Sequence, residues 1–363
     1  MTNVLRRLTW VVAMGVMAGA CGAELPEKIA PGDPNIALIG RFDLRDKDGP
    51  RCAWSGSSIR VKFSGTAANV LLKSSSDGGD FVEAIVDGKP GNPIALKRGP
   101  GVYEAASGLP DGEHTLEIFK RTEAFANTIQ LLGFQLEAGK KLLPAPPVAK
   151  RRIEIIGDSI SCGYGNEGAN QNEHFKPDTE NNYLAYGPVA ARAVNADCAV
   201  IAWSGRKLAP DNTIVELYDY ALPTDKTSTW DFSKFPADAV VINLGTNDFG
   251  KGNPDEKMWT TAYVNFIQHI RKNYPKAHIF CAVGSMMSDN WPKDQKALTT
   301  VKNYCNSVID TLQKAGDTNV HFLEFAVQDG NADGLGSDWH PSVKTHKKMA
   351  DKLVEALKKE LGW

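Results

Sequence analysis

Two different hydrophobic patterns follow one another along the chain. From about residue 35 to residue 135, short β-rich runs alternate apolar and polar positions, as in Ile59, Val61 and Phe63. The runs are IRVKFSG, ANVLLKSS, FVEAIVDGKPG, GVYEAASG, GEHTLEIFKRT and IQLLGFQLE. Turn-forming residues separate them at intervals of roughly ten residues. The pattern predicts an all-β unit, a sandwich or jelly roll, over residues 24–140.

The second pattern begins at residue 153 and continues to residue 363. Continuous apolar runs, IEIIG, AVIAWSG, AVVINLG, HIFCAVG and VHFLEF, alternate with stretches of helical spacing. Strands that are apolar on both faces are typical of a parallel sheet covered by helices on each side, so we expect an α/β domain here. In the last helix, Pro341 is expected in the first turn, and the residues expected on the inward face are Met349, Leu353, Ala356, Leu357 and Leu361.

Residues 141–152, KLLPAPPVAKRR, separate the two patterns. Three prolines in this segment cannot continue a sheet, and they favour a stiff surface connector. We therefore predict a linker over residues 141–152.

The first 23 residues have the features of an export signal. Two arginines precede an apolar segment from Leu8 to Met17, and small residues follow. Two alternatives for processing stay open: AGAC resembles a bacterial lipobox that would lipidate Cys21, and peptidase cleavage near Ala20 or Ala23 would release the chain. No later run reaches the roughly 18 apolar residues that a membrane span needs. The sequence predicts a secreted or cell-envelope protein.

The composition is that of a globular protein without a basic surface. Of 363 residues, 42% are hydrophobic and 23% are charged, and the formal net charge is -2. Such a charge gives no field for nucleic acid, so we expect no nucleic-acid partner. The cysteines form no CxxC pair and the histidines form no HExxH, and we expect neither a metal site nor a cofactor.

Polar residues follow the predicted strands of the second domain directly. Ser159 comes after the first strand, Gly205 after the second, Asn247 after the third, and Asp338 and His340 after the fifth. Ligand sites of open α/β sheets form beyond the carboxyl ends of the strands. These residues are therefore expected to share one site.

The residue types at this edge suit acyl transfer. A serine needs a base to take its proton, and histidine has a suitable pKa. An oxyanion needs donors that are already aimed, here the backbone N–H groups of Ser159 and Gly205 and the side-chain amide of Asn247. We predict Ser159 as nucleophile and His340 as general base.

The motifs GDS, AWSGR, GTND and DWHP resemble those of the SGNH or GDSL hydrolases. Together with GEHTLEIFKRTEA and GDSISCGYGNEG, and with the β-rich unit in front, the chain is similar to carbohydrate esterase family two over nearly its whole length. That resemblance implies an SGNH hydrolase domain over residues 153–363. It also implies removal of acetyl groups from plant polysaccharides such as xylan and glucomannan.

One position departs from the SGNH pattern. Many members carry an acid three residues before the histidine, but that position is Ser337 here, and the nearest acid is Asp338. Two alternatives stay open: the Asp338 carboxylate orients His340, or a backbone carbonyl does so, as in members described as using a Ser-His dyad.

Three further residues are candidates for substrate contact. Trp203 and Trp339 each adjoin a predicted catalytic residue, and each is expected to form an apolar wall for the acetyl group or to stack on a sugar ring, with packing in the core as the alternative. Arg206 is expected to touch the polysaccharide.

The site residues, together with the acetyl substrates that the resemblance implies, favour a secreted acetyl esterase that acts on hemicellulose through an acetyl-enzyme. An SGNH lipase or thioesterase is the first alternative, but it would need a long apolar channel, and the loop at 165–182 is polar. A noncatalytic carbohydrate-binding protein is the second.

Overall fold

The computed structural model describes residues 27–125 and 127–363. The predicted signal at residues 1–23, with Cys21, lies outside the described residues. Within them, no helix is both long enough and apolar enough to cross a membrane.

The first part of the chain forms two antiparallel sheets around one apolar core. Its strands are β1 (Glu27–Ile29), β2 (Ala37–Ile39), β3 (Arg51–Cys52), β4 (Ser58–Gly65), β5 (Ala68–Ser74), β6 (Phe81–Val86), β7 (Lys89–Ala95), β8 (Gly99–Ala106), β9 (Gly112–Lys120), β10 (Ile129–Leu136) and β11 (Leu142–Leu143). One sheet has the order β1-β10-β5-β8, with β3 also on β10, and the other has the order β11-β4-β9-β6-β7, with β2 also on β4. The alternating positions Val61, Phe63 and Leu116 meet in the core between the sheets. The predicted sandwich is confirmed, and its jelly-roll connectivity stays a prediction.

The second part contains the predicted parallel sheet. Its elements are β12 (Arg151–Gly157), α1 (Ser159–Cys162), α2 (Tyr186–Ala193), β13 (Ala196–Ala202), β14 (Ala239–Asn243), α3 (Thr246–Phe249), α4 (Glu256–Asn273), β15 (His278–Ser285), α5 (Ala297–Lys314), β16 (Val320–Val327), α6 (Gly330–Asp333) and α7 (Val343–Leu361). The strand order is β13-β12-β14-β15-β16. Helices α4 and α5 pack on one face of this sheet, and α2 and α7 pack on the other. The α/β fold class is confirmed.

The predicted linker is only partly free of regular structure. Leu142 and Leu143 form β11 and pair with Phe63 and Lys62 of β4, while Arg151 already begins β12. Leu142 is buried, so its apolar side chain favours the sheet over a surface connector. The division of the chain at residues 140 and 152 stays a prediction.

The two parts share a buried boundary. Trp54 and Ala124 of the first part belong to the apolar core that α4 and α5 form with the parallel sheet. Arg41 is fully buried and pairs with Glu154 of β12, at 3.0 Å between Nη2 and Oε2. The first part therefore packs directly against the sheet that carries the candidate site.

Candidate active site

Three strand ends place the candidate residues at one edge of the parallel sheet. In the register, Gly157 at the end of β12 pairs with Ala202 of β13 and with Asn243 of β14. The segments that follow these three strand ends carry the predicted residues Ser159 at the start of α1, Gly205 in a loop, and Asn247 in α3. The structure thus brings these loops together, as the strand pattern predicts.

Ser159 opens the short helix α1 and faces His340. Its Oγ lies 2.9 Å from Nε2 of His340, and Ser159 is only 7% exposed. Asp158 precedes it as the N-cap of α1, and its Oδ1 accepts the Ile160 N–H at 3.0 Å. The cap fixes the start of the helix and thereby the direction of the serine side chain.

Backbone carbonyls hold the other ring nitrogen of His340. Nδ1 lies 3.1 Å from the oxygen of Ser337 and 3.2 Å from that of Asp338. Because carbonyl oxygens can only accept, Nδ1 must carry the proton, and Nε2 is left as an acceptor toward the serine hydroxyl. Burial lowers the pKa of His340 below its usual value, and the two carbonyl contacts partly offset this effect.

The Asp338 carboxylate contacts other groups than His340. It accepts hydrogen bonds from the Tyr164 hydroxyl at 3.0 Å and the Phe175 N–H at 2.9 Å, and it lies 2.8 Å from Nδ1 of His174. The backbone of Asp338 is left-handed, with φ of +50°, which directs its carbonyl toward the imidazole and its side chain toward the loop at 173–175. Of the two alternatives for orienting His340, the geometry therefore fits the backbone carbonyl better than the Asp338 carboxylate, and this assignment stays a prediction.

Two backbone donors are available at the site. Within residues 27–125 and 127–363, neither the N–H of Ser159 nor that of Gly205 donates a hydrogen bond to a protein group. Gly205 has a φ of +77°, a conformation that favours glycine. The Asn247 amide is already engaged, since Nδ2 lies 3.0 Å from the oxygen of Arg206 and 3.3 Å from Oδ2 of Asp158. Donation from Asn247 to a substrate would replace the longer of these two bonds.

Burial perturbs the pKa of Asp158, the acid directly before the serine. It is fully buried, and desolvation, with the nearby negative charge of Asp248, raises its pKa to about 7. The Ile160 N–H opposes this rise without cancelling it. The Asn247 amide thus faces an acid that changes its charge near neutral pH.

The three predicted substrate contacts lie at the rim of the site. The guanidinium of Arg206 stacks over the Trp203 ring, 4.8 Å from its centroid. Trp203 is partly buried and packs against the apolar core that α4 and α5 form with the parallel sheet. Trp339, next to His340, is 58% exposed. An exposed indole and a stacked guanidinium are groups that suit contact with a sugar face, and their roles stay predictions.

Tyr164 is a site residue that the sequence reasoning did not single out. Its ring lies 4.2 Å from the His340 ring, measured between centroids, and 4.4 Å from that of Phe175. The aromatic stack supports the imidazole on one side. The only sequence signal was the position of Tyr164 within the GDSISCGYG segment, five residues after the serine.

Comparison with known families gives matches over both parts of the chain. Residues 38–146 match the family described as Carbohydrate esterase 2 N-terminal. Residues 155–348 match the GDSL-like Lipase/Acylhydrolase family.

Individual relatives agree with these matches. Cellulase/esterase CelE of Acetivibrio thermocellus is 44% identical over 337 residues, which is 91% of this chain but 40% of that protein, so the chain spans less than half of this relative. An acetylxylan esterase / glucomannan deacetylase of Cellvibrio japonicus is 27% identical over 92% of this chain and 91% of its own length. The structure of a family two carbohydrate esterase from Clostridium thermocellum in complex with cellohexaose superposes with a TM-score of 0.85, at 44% identity, over 90% of this chain and 99% of the other.

Proposed function

Because the chain belongs to carbohydrate esterase family two, we propose that it is a carboxylic ester hydrolase that removes O-acetyl groups from plant cell-wall polysaccharides. Acetylated xylan and glucomannan are the proposed substrates, in line with the names of the Cellvibrio relatives. Neither a metal nor an organic cofactor takes part in the proposed reaction.

The observation that carries the proposal is the contact between Ser159 and His340. The distance of 2.9 Å between Oγ and Nε2 is short enough for direct proton transfer, and Nε2 is the unprotonated nitrogen. The free N–H groups are those of Ser159 itself, at the start of α1, and of Gly205, on the loop after β13. A nucleophile, its base and two donors are the minimum that acyl transfer requires.

The reaction follows from these groups. His340 takes the proton of Ser159 as Oγ attacks the acetyl carbonyl, and the N–H groups of Ser159 and Gly205, with the Asn247 amide as a third donor, bind the oxyanion. The C–O bond to the sugar then breaks, and the sugar oxygen takes the proton from His340. Water, deprotonated by His340, attacks the acetyl-enzyme and releases acetate and free Ser159.

The surface around the serine supports a sugar as the leaving group. Trp339 presents an exposed indole beside His340, and Arg206 on Trp203 lies on the loop that carries Gly205. The Clostridium thermocellum relative binds cellohexaose, a chain of β-linked sugars. We place the polysaccharide across this rim, with the acetyl group at Ser159.

The test is acetate release from acetylated xylan, acetylated glucomannan and a short aryl acetate. Ser159→Ala is expected to abolish release, at a loss of about 10^4-fold or more. Ser161→Ala is the matched control, since Ser161 is a buried serine on the same helix whose Oγ contacts the Tyr186 hydroxyl instead of His340. Full activity of Ser159→Ala would contradict the assignment of the nucleophile.

The same variants separate the two alternative functions. A Ser159→Ala protein that still sediments with insoluble polysaccharide would show that sugar binding is separable from hydrolysis. Faster cleavage of aryl octanoate than of aryl acetate would favour a lipase or thioesterase. We expect acetate to be the preferred acyl group.

A location outside the cytoplasm is part of the proposal. It rests on the export features of residues 1–23, and attachment through a lipid on Cys21 is the alternative to free secretion. Activity in the membrane fraction that moves to the medium in Cys21→Ser cells would favour the lipid anchor.

A further inference from the structure

Glu123 is a buried carboxylate of the β-sheet part that reaches the candidate active site. It follows β9 in the chain, and none of its surface is exposed. Its Oε2 accepts the backbone N–H of Ser204 at 2.6 Å, and its Oε1 accepts the Ser204 hydroxyl. Ser204 directly precedes Gly205, whose N–H is one of the two free donors at the site.

Other contacts hold the residues on either side of Ser204 and Gly205: the Trp203 N–H donates to the Gly157 carbonyl at 3.3 Å, and Nδ2 of Asn247 donates to the Arg206 carbonyl at 3.0 Å. The Asn212 amide donates to the carbonyl of Gly205 at 3.0 Å, and the Arg206 N–H donates to the carbonyl of Trp203 at 3.2 Å. Gly205 itself is exposed, and a methyl group on its Cα would meet no atom within 4 Å. A side chain at Gly205 would therefore point into open space, and the two Glu123 contacts act on Ser204, the residue directly before the Gly205 N–H.

A second buried acid supports Glu123. The Glu123 N–H donates to Oε2 of Glu180 at 3.1 Å, and Glu180 is also fully buried. Carboxylate oxygens of both residues and Sγ of Cys162 lie within 4.8 Å of one another. Two charged carboxylates at this distance in a buried site would repel each other strongly, so the pair keeps a proton.

The proton belongs on Glu180. Burial raises the pKa of both acids, but the Ser204 hydrogen bonds lower that of Glu123, whereas the negative charge of Glu123 raises that of Glu180 further. In addition, Oε1 of Glu180 accepts no hydrogen bond from the described residues. Glu123 is therefore the charged acceptor, which gives the stronger hydrogen bonds to Ser204.

We propose that Glu123 is a positioning residue for the oxyanion site: its carboxylate holds the N–H and hydroxyl of Ser204 and thereby aims the N–H of Gly205. This inference rests on the proposed function, because it concerns a donor of that reaction. Glu123 follows β9 of the β-sheet part and lies 81 positions before Ser204 in the chain. If Glu123 positions the Gly205 N–H, the β-sheet part contributes to the active site of the α/β part.

The test replaces Glu123 by leucine, which removes both acceptors and keeps much of the volume. Loss of one aimed oxyanion donor lowers kcat by about 100-fold, and we expect that loss with KM for aryl acetate nearly unchanged. The specific readout is the ratio of kcat/KM for an aryl acetate to that for the aryl thionoacetate. Sulfur accepts hydrogen bonds weakly, so losing a donor slows the ester more than the thionoester, and the ratio falls.

Glu83→Leu is the matched control for a merely structural effect. Glu83 is another buried glutamate of the same part, and it pairs with Arg121, which also contacts Glu167 of the α/β part. This variant is expected to lower the melting temperature while leaving the ester-to-thionoester ratio unchanged. Glu123→Gln is expected to restore most activity, since its carbonyl accepts the Ser204 N–H and its amide donates to the Ser204 hydroxyl.

Two outcomes would overturn the proposal. One is a folded Glu123→Leu protein with the wild-type ratio while Ser159→Ala is inactive, a result that leaves the proposed function intact. If Glu123→Leu does not fold, amide hydrogen exchange in the wild-type protein decides, because an N–H held by a buried carboxylate is protected. If the Ser204 N–H exchanges as fast as the Gly205 N–H, the proposed hydrogen bond from Ser204 to Glu123 would be contradicted.

Discussion

Main-chain oxygens and aromatic packing orient the imidazole of His340. The carbonyls of Ser337 and Asp338 hold Nδ1, and the Tyr164 ring lies against one face. A carbonyl fixes the tautomer as well as a carboxylate does, but it brings no full negative charge to stabilise the imidazolium. The site therefore matches a Ser-His dyad with a backbone acceptor in place of the acid.

Asp338→Asn tests this arrangement. We expect kcat/KM on aryl acetate to fall by less than about 10-fold, because the carbonyl contact to Nδ1 remains and asparagine tolerates the left-handed backbone. A working triad acid would give a loss of about 10^4-fold on the same change. A loss of that size, with an unchanged melting temperature, would restore the carboxylate as the orienting group.

The pH dependence of activity reports the state of His340. Only the neutral imidazole accepts the serine proton, and burial lowers the pKa of His340. The acidic limb of kcat/KM is therefore expected at a lower pH than the usual histidine value of about 6.5, with full activity above it.

Asp158 is the control for that profile, since its pKa of about 7 makes it another group near Ser159 that titrates close to neutrality. If His340 sets the limb, Asp158→Asn keeps it at the same pH. A limb that disappears in Asp158→Asn would assign it to the aspartate instead.

Sequence reasoning reached some of these residues and not others, for a physical reason. Ser159 and His340 follow apolar strands and occur in motifs, so their shared position at the sheet edge could be inferred. The orientation of Asp338 depends on a left-handed φ that spacing does not reveal. Glu123 lies in another part of the chain, and no periodicity connects it with Ser204.

At the scale of elements, the turn from β12 into α1 leaves no space for a side chain at Gly157. A Cβ there would lie 2.1 Å from Oγ of Ser161 and 3.1 Å from the carbonyl of Asn243. The strand end and the helix that starts with Ser159 are packed against each other through this glycine.

Gly157→Ala is expected to destabilise the protein by about 1–3 kcal/mol, as overpacking does, and to lower kcat by moving α1. Urea unfolding and aryl acetate hydrolysis measure the two effects. Gly112→Ala is the control, because a Cβ at this strand glycine would meet nothing within 4 Å. Equal stability of both variants would contradict the steric account.

Element boundaries show where the hydrophobic pattern is sufficient. The long alternating and continuous runs are strands. Of the residues expected on the inward face of α7, Met349, Leu353 and Leu357 are buried, whereas Ala356 and Leu361 are partly buried. The short strands β1, β2, β3 and β11 span two or three residues, too few to show a period. The expected place of Pro341 in the first turn of α7 was wrong: the helix begins at Val343, and the Ser342 side chain caps it by accepting the Thr345 N–H.

At the scale of the whole molecule, the two parts behave as one packed body. Trp54 lies in the core of the α/β part, and its Nε1 donates to the carbonyl of Tyr220 at 3.1 Å. The change of hydrophobic pattern and the prolines predicted two units, but a pattern shows which faces are apolar and not what covers them. The contact between the units could therefore not be predicted.

The contact between the two parts can be tested at the buried ion pair of Arg41 and Glu154. Both side chains are fully buried, and Glu154 also accepts the Tyr218 hydroxyl at 2.6 Å and the Tyr274 hydroxyl at 3.1 Å. Removing one partner of a buried pair leaves an uncompensated charge, so Arg41→Leu is expected to cost about 3–5 kcal/mol in the free energy of unfolding. Urea titration at neutral pH measures this cost.

The double variant Arg41→Leu/Glu154→Leu separates the charge from the packing. Because it removes both charges, it is expected to be less destabilised than the sum of the two single variants. Asp225→Asn is the control, since its pair with Arg45 also joins the two parts but is solvent-exposed, and such pairs contribute below about 1 kcal/mol. Additive costs in the double variant would mean that the buried charge pair does not couple the two parts.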